Sequence, residues 1–144
     1  MPNPTSMDKR LLDGIAAQRA QQIVRRAVEK EDATSTDNLV TKALGVLQEN
    51  GVYACFLFLF SRTQDKDEKI AQVVREQLLR LAAEDLDFGW EDLLDGDLGS
   101  QRTLSTVSKT ICAELDPLIM TKELFEQTLI YARYGAKAAK NEGR

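Results

Sequence analysis

Val52-Tyr-Ala-Cys-Phe-Leu-Phe-Leu-Phe60 is an unbroken apolar run whose only polar atoms are a phenol and a thiol. Such a segment has to be buried, and the rest of the chain must supply what buries it. It is far too short to span a bilayer. Periodicity alone suits a buried strand or a buried helix equally, because the run is apolar on every side. The surroundings decide between them. A lone strand would leave its backbone N–H and C=O groups without partners, and no other segment reads as a strand. A central helix wrapped by other helices is therefore expected.

The flanking sequence reads as helices throughout. Leu12, Ile15, Ala16, Ala20, Ile23, Val24 and Ala27 recur at three- and four-residue steps, predicting a helix over 7–30 with one apolar stripe. Thr5 with Asp8 resembles a capping box at its start. Residues 31–37 break the pattern and offer caps for a second helix carrying Leu39, Val40, Ala43, Leu44, Val46 and Leu47. Asn50-Gly51 lacks alternating flanks, so a glycine stop between two helices is expected rather than a hairpin. Asp65 with Glu68 gives a second capping signature before Ile70, Val73, Val74, Leu78 and Leu81. A weaker helix is predicted over 103–115. A last helix begins either at Asp116-Pro117 or, separately, at Thr121, and runs to about Lys140 with Leu124, Phe125, Thr128, Tyr131, Ala132, Gly135 and Ala139 on one side. The expected fold is all-α: one compact helical bundle of about five to seven helices spanning residues 1–144. Residues 1–6 are expected to be flexible, 84–100 to form an acidic connection, and 141–144 to fray.

Charge and composition exclude more than they suggest. The 144 residues carry 19 Lys and Arg against 23 Asp and Glu, a net charge of −4, and no histidine. A net acidic chain is unlike a base-reading DNA binder. Without histidine there is no Ser/His or Cys/His pair and no HExxH metal helix. Cys55 and Cys112 read as small buried hydrophobes. The opening residues show no basic region followed by an apolar one, so no secretory signal is read and a cytoplasmic location is expected. The acidic stretch Glu84–Asp97 lacks the EF-hand spacing, and its Leu86, Phe88, Trp90, Leu93 and Leu94 look like core anchors. No metal and no cofactor are expected. An enzyme built on Asp85 and Asp87 with a metal stays as a rival reading.

Positive charge follows two helix borders. Arg19, Gln22, Arg26 and Lys30 line one edge of the first apolar stripe, and Lys122, Arg133, Lys137 and Lys140 line an edge of the last helix, interrupted by Glu126. Such rows occur on ordinary solvated, salt-bridged surfaces. They also suit contacts to a phosphate backbone, which need spaced cations but no base-reading geometry. No aromatic ribonucleoprotein motif, zinc knuckle or glycine-rich phosphate loop accompanies them.

Three segments, residues 18–28, residues 44–57 with Arg62 beyond them, and residues 129–137, together resemble the small helical subunit of the type III-B CRISPR effector, the Cmr complex. Gln18-Arg19-Ala20-x-x-Ile23-Val24-x-x-Ala27-Val28 is similar to that family's opening helix. Leu44-x-x-Leu47-Gln48-Glu49-Asn50-Gly51-Val52-x-Ala54-x-Phe56-Leu57 resembles its most recognisable stretch, in which an Asn-Gly-Leu step leads into an apolar helix ending in a basic residue, here Arg62. Leu129-x-Tyr131-Ala132-Arg133-Tyr134-x-Ala136-Lys137 looks like its closing helix. Departures are Val52 in place of leucine, a missing proline before Asn50, and Tyr131 or Tyr134 where tryptophan is common. The related type III-A small subunit, also helical and of similar size, stays open as an alternative.

The resemblance implies a non-enzymatic antiviral-defence subunit that stacks along a crRNA-guided filament and lines the channel for target RNA. Its implied partners are copies of itself, other effector subunits, and crRNA and target RNA without sequence preference, with no membrane. Carried onto this sequence, the RNA-backbone contacts fall on Arg19, Arg26, Lys30, Arg62, Arg133, Lys137 and Lys140, and Asp92 and Asp95 become candidate contacts to a neighbouring copy. A helical protein–protein adaptor without RNA is the alternative from another class.

Overall fold

A computed structural model describes residues 9–96 and 98–142. Six α-helices carry the described fold: α1 (Lys9–Lys30), α2 (Ala33–Asn50), α3 (Val52–Phe60), α4 (Asp65–Arg80), α5 (Ser100–Lys109) and α6 (Leu115–Asn141). A π-helical turn (Leu81–Asp85) and a 3₁₀ turn (Glu91–Leu94) join α4 to α5. No strand occurs among the described residues. The all-α bundle expected from periodicity is what forms. None of the described helices is long and apolar enough to cross a membrane. The expectations for residues 1–6, for a Thr5–Asp8 cap, for Asp97 and for residues 143–144 lie outside the described residues.

Each turn has a local cause. Asp32 caps α2, its carboxylate accepting from the Ser35 N–H at 2.7 Å and the Ser35 hydroxyl at 3.1 Å. The second helix thus starts inside the predicted break, with Thr36 and Asp37 already buried in its first turns. Gly51, at φ 96°, ends α2 by donating to the Leu47 carbonyl at 2.9 Å. Its own carbonyl accepts from Cys55 N–H at 3.1 Å and opens α3. A side chain at that φ would be strained, so the glycine stop between helices stands as expected.

Four expectations are corrected. The apolar run is a helix but is not wrapped on all sides. Val52, Cys55, Phe56 and Leu59 are buried, while Tyr53 and Leu57, one turn apart, face outward. The Asp65–Glu68 capping box does not form. Gln64 holds the cap position without a side-chain bond, and Glu68 pairs with Arg75 at 3.1 Å instead. The two acids still sit in the first turn of α4, where the helix dipole favours them. The third difference is the weak helix, which lies at 100–109 rather than 103–115. There the Thr106 hydroxyl donates to the Arg102 carbonyl at 2.9 Å and the Thr110 hydroxyl to the Thr106 carbonyl at 2.7 Å, a back-bonding that loosens helices. Fourth, Thr121 caps nothing. The last helix is continuous from Leu115, and Pro117 falls within its first turn, where no intrahelical N–H is required.

The core joins all these elements. Phe56 of α3 meets Phe125 of α6 edge to face, with ring centroids 6.0 Å apart. Around them pack Ile23, Leu39, Leu47, Leu59, Ile70 and Leu78, all essentially inaccessible to water. Leu86, Trp90 and Leu93 of the acidic connection are buried as the sequence predicts, and Phe88 stacks on Trp90 at 4.6 Å.

Helix direction positions the basic rows. Asp13 meets Tyr131 and Val24 meets Gly135, so α1 and α6 ascend together. A Cβ on Gly135 would stand 3.0 Å from Val24, which shows how closely the two helices pack. Asp37 near the start of α2 meets Lys137 and Lys140 near the end of α6, so those two helices run oppositely. Lys66 and Lys69 of α4 reach Asp32 and Glu31 at the same end.

Candidate nucleic-acid interface

The α1 edge splits along its length. Arg19 is largely covered, its side chain 17% exposed, and Asp85 grips it through two bonds, at 2.7 Å to Nε and 3.1 Å to Nη2. Nη1 of Arg19 donates to the buried Gln77 side chain at 3.1 Å. Its charge is therefore answered within the molecule. Arg26 and Lys30 differ: both are exposed, Arg26 donates only to Gln22 at 3.3 Å, and neither has a carboxylate partner among the described residues. Lys30 stands in the last turn of α1, where a cation complements the helix dipole.

The α6 edge is anchored rather than free. Lys137 and Lys140 converge on one oxygen of Asp37, at 3.2 Å and 3.5 Å. That carboxylate side chain is only 7% exposed. Burial works to raise the Asp37 pKa, but the bond and charge of Lys137, the Thr41 hydroxyl and the charge of Lys140 outweigh it and hold the group ionised below its ordinary range. The two lysines keep one net positive charge between them. Lys122 pairs with Glu126 at 3.8 Å, one turn away.

The remaining expected contacts sit apart from these rows. Arg133 is half-buried, lies over the Tyr134 ring at 5.9 Å, and has its Nε buried without a partner among the described residues. Arg62 stacks over Phe58 at 4.5 Å and donates to the Ser61 hydroxyl at 3.3 Å. Asp92 and Asp95 bracket the end of the 3₁₀ turn and are exposed. The Asp92 carbonyl accepts from Arg102 at 3.2 Å. Asp85 serves Arg19, whereas Asp87 is exposed two residues on. No cluster of three His, Cys, Asp or Glu among the described residues is placed to hold a metal ion. Cys55 is buried, which pushes its thiol up to about 12.

Sequence reasoning passes over three exposed cations, Arg25, Lys42 and Lys109, that have no acidic partner among the described residues. Arg25 follows from the helix register, since it neighbours Arg26 and precedes the buried Ala27. It borders a groove of about 930 Å³ between α1 and α6, floored by Ala17, Ala20, Val24, Gly135 and Ala139. Tyr131, whose hydroxyl donates to Asp13, also lines that groove. No family model, curated protein or solved structure matches the chain.

Proposed function

We propose that this chain is a non-catalytic structural subunit of a crRNA-guided type III ribonucleoprotein, facing the RNA backbone with the open part of the α1 edge. The observation that carries the reading is the pair Arg26 and Lys30, exposed one turn apart on one helix edge without carboxylate partners among the described residues. Cations so placed can neutralise successive phosphates while reading no base. Sequence selection then belongs to guide–target pairing, and the protein supplies shape and charge. The similarity of the three sequence segments to the Cmr small subunit supports the same role, and an all-α bundle is the architecture that similarity implies.

A protein-only adaptor is favoured by a different observation. Tyr53 with Leu57 on α3, and Leu115 with Ile119 on α6, form exposed apolar pairs one turn apart, Leu115 being 69% accessible. Subunit contacts in a filament would use such surface too. The two readings separate when the tagged full-length chain is purified from its native cell and the bound RNA is extracted. The ribonucleoprotein reading expects guide RNA of discrete length together with large and backbone subunits. Protein partners with no RNA would establish the adaptor in its place.

A further inference from the structure

A second groove, about 530 Å³, runs between α1 and the end of α4. Its lining is polar: Gln22 and the buried Gln77, with three guanidiniums from Arg19, Arg26 and Arg80. The π-helical turn delivers two carboxylates into it. The wide turn closes with the Leu86 N–H bonded to the Leu81 carbonyl at 3.2 Å, and it carries Glu84 and Asp85 as consecutive residues. Asp85 takes the fork of Arg19 through two bonds, and Glu84 takes Arg80 at 3.1 Å while standing 3.8 Å from Arg19. Arg80 also meets Glu76 at 3.4 Å.

A guanidinium fork that accepts a carboxylate through two parallel bonds accepts a phosphate oxygen pair by the same geometry. Three guanidiniums in one polar groove have the chemistry to receive anions, and carboxylates of the chain itself hold two of them, Asp85 on Arg19 and Glu84 on Arg80. We propose that this groove is a phosphodiester-binding site that the protein keeps occupied with its own Glu84 and Asp85, so that an RNA backbone reaches Arg19 and Arg80 only by displacing them. The inference rests on the RNA-facing reading of α1, since Arg26 belongs both to the groove and to the open edge. It adds a gate to that edge. The sequence row Arg19–Arg26–Lys30 is continuous, yet its first member is withheld.

The test is fluorescence anisotropy of a labelled oligouridine strand with the full-length chain at low ionic strength. Removing one carboxylate by Glu84→Gln should tighten binding about fivefold, the scale of one unit charge a few ångströms away in water-like surroundings. The logarithmic salt slope should steepen by about 0.7 for each further phosphate that an arginine neutralises. Asp85→Asn should act in the same direction. Because Asp85 holds a covered arginine and its variant can lose fold, thermal melting is recorded alongside, and the more exposed Glu84 decides the outcome if Asp85→Asn does not fold. Adding Arg19→Ala and Arg80→Ala to Glu84→Gln should erase the tightening. Tightening that survives that triple variant overturns the groove as the site. Unchanged affinity in Glu84→Gln, with Arg26→Ala still weakening the wild-type protein, overturns the gate and leaves the RNA-facing edge standing. If Arg26→Ala changes nothing either, both fall.

Discussion

The basic edges of α1 and α6 look alike as rows of cations beside an apolar stripe, yet the fold treats them in opposite ways. On α6 the two terminal lysines close on one buried carboxylate, Asp37, and tie the helix to α2. On the α1 edge, among the described residues, only Arg19 is tied to a carboxylate, Asp85, and the edge beyond it stays open at Arg26 and Lys30. A charge row found by helical spacing is therefore only half a statement. Whether it faces solvent or the protein depends on which carboxylate the fold brings to it, and the partners of Arg19, Lys137 and Lys140 lie on other elements.

The largest effect is expected from cutting the α6 anchor. Asp37→Ala leaves two ammonium groups close together with no counter-charge. A fully buried pair broken this way costs roughly 3–5 kcal/mol, but these lysines are about two-fifths exposed, so screening brings the expectation to about 2 kcal/mol. For a chain of this size the midpoint of thermal unfolding should fall by roughly 4–8 °C. A loss no larger than that of an ordinary surface change would mean that the anchor does not hold α6.

Asp85→Asn comes next. It removes the charged half of a two-bond grip on a mostly covered arginine, and a loss of about 1–2 kcal/mol is expected by urea unfolding. Asp32→Ala, at the start of α2, should cost about 1 kcal/mol through the missing helix cap. Asp32 also sets an acid dependence. The Ser35 backbone N–H and the Lys66 ammonium lower its pKa from 3.8 to about 2. A carboxylate whose folded pKa is depressed stabilises the fold fully above its unfolded value, and that share fades as pH falls towards the folded one. Asp37 adds in the same direction. Unfolding midpoints should therefore decline between about pH 4 and pH 2, and less steeply in Asp32→Ala. The smallest stability effect belongs to the open edge: Arg26→Ala and Lys30→Ala should each change stability by under about 0.5 kcal/mol.

Much of this architecture is readable in the sequence because a buried stripe leaves a period. The buried faces of α1, α2, α4 and α6 follow from their apolar spacing, and Gly51 marks its turn because few other residues tolerate that φ. Readability fails where the deciding partner is remote. Nothing near Arg19 announces Asp85, 66 residues away. Nothing near Lys137 announces Asp37, which the sequence offers only as a cap candidate. The start and end of α5 escape because hydroxyl back-bonding weakens a short helix that its apolar residues alone do not delimit. The outward flank of α3 is missed for another reason. A uniformly apolar run carries no signal of which side is covered.

The proposed RNA-facing role of the α1 edge is tested most directly by the salt dependence of target-RNA binding by the proposed ribonucleoprotein. Complexes containing Arg26→Ala and Lys30→Ala should bind more weakly, with a logarithmic salt slope shallower by about 1.4, two single-strand contacts at about 0.7 each. Complexes containing Arg25→Ala and Lys109→Ala, two exposed cations off that row, should keep the wild-type slope. An unchanged slope in the first complex, or an equal loss in both, would contradict an RNA-facing role for Arg26 and Lys30.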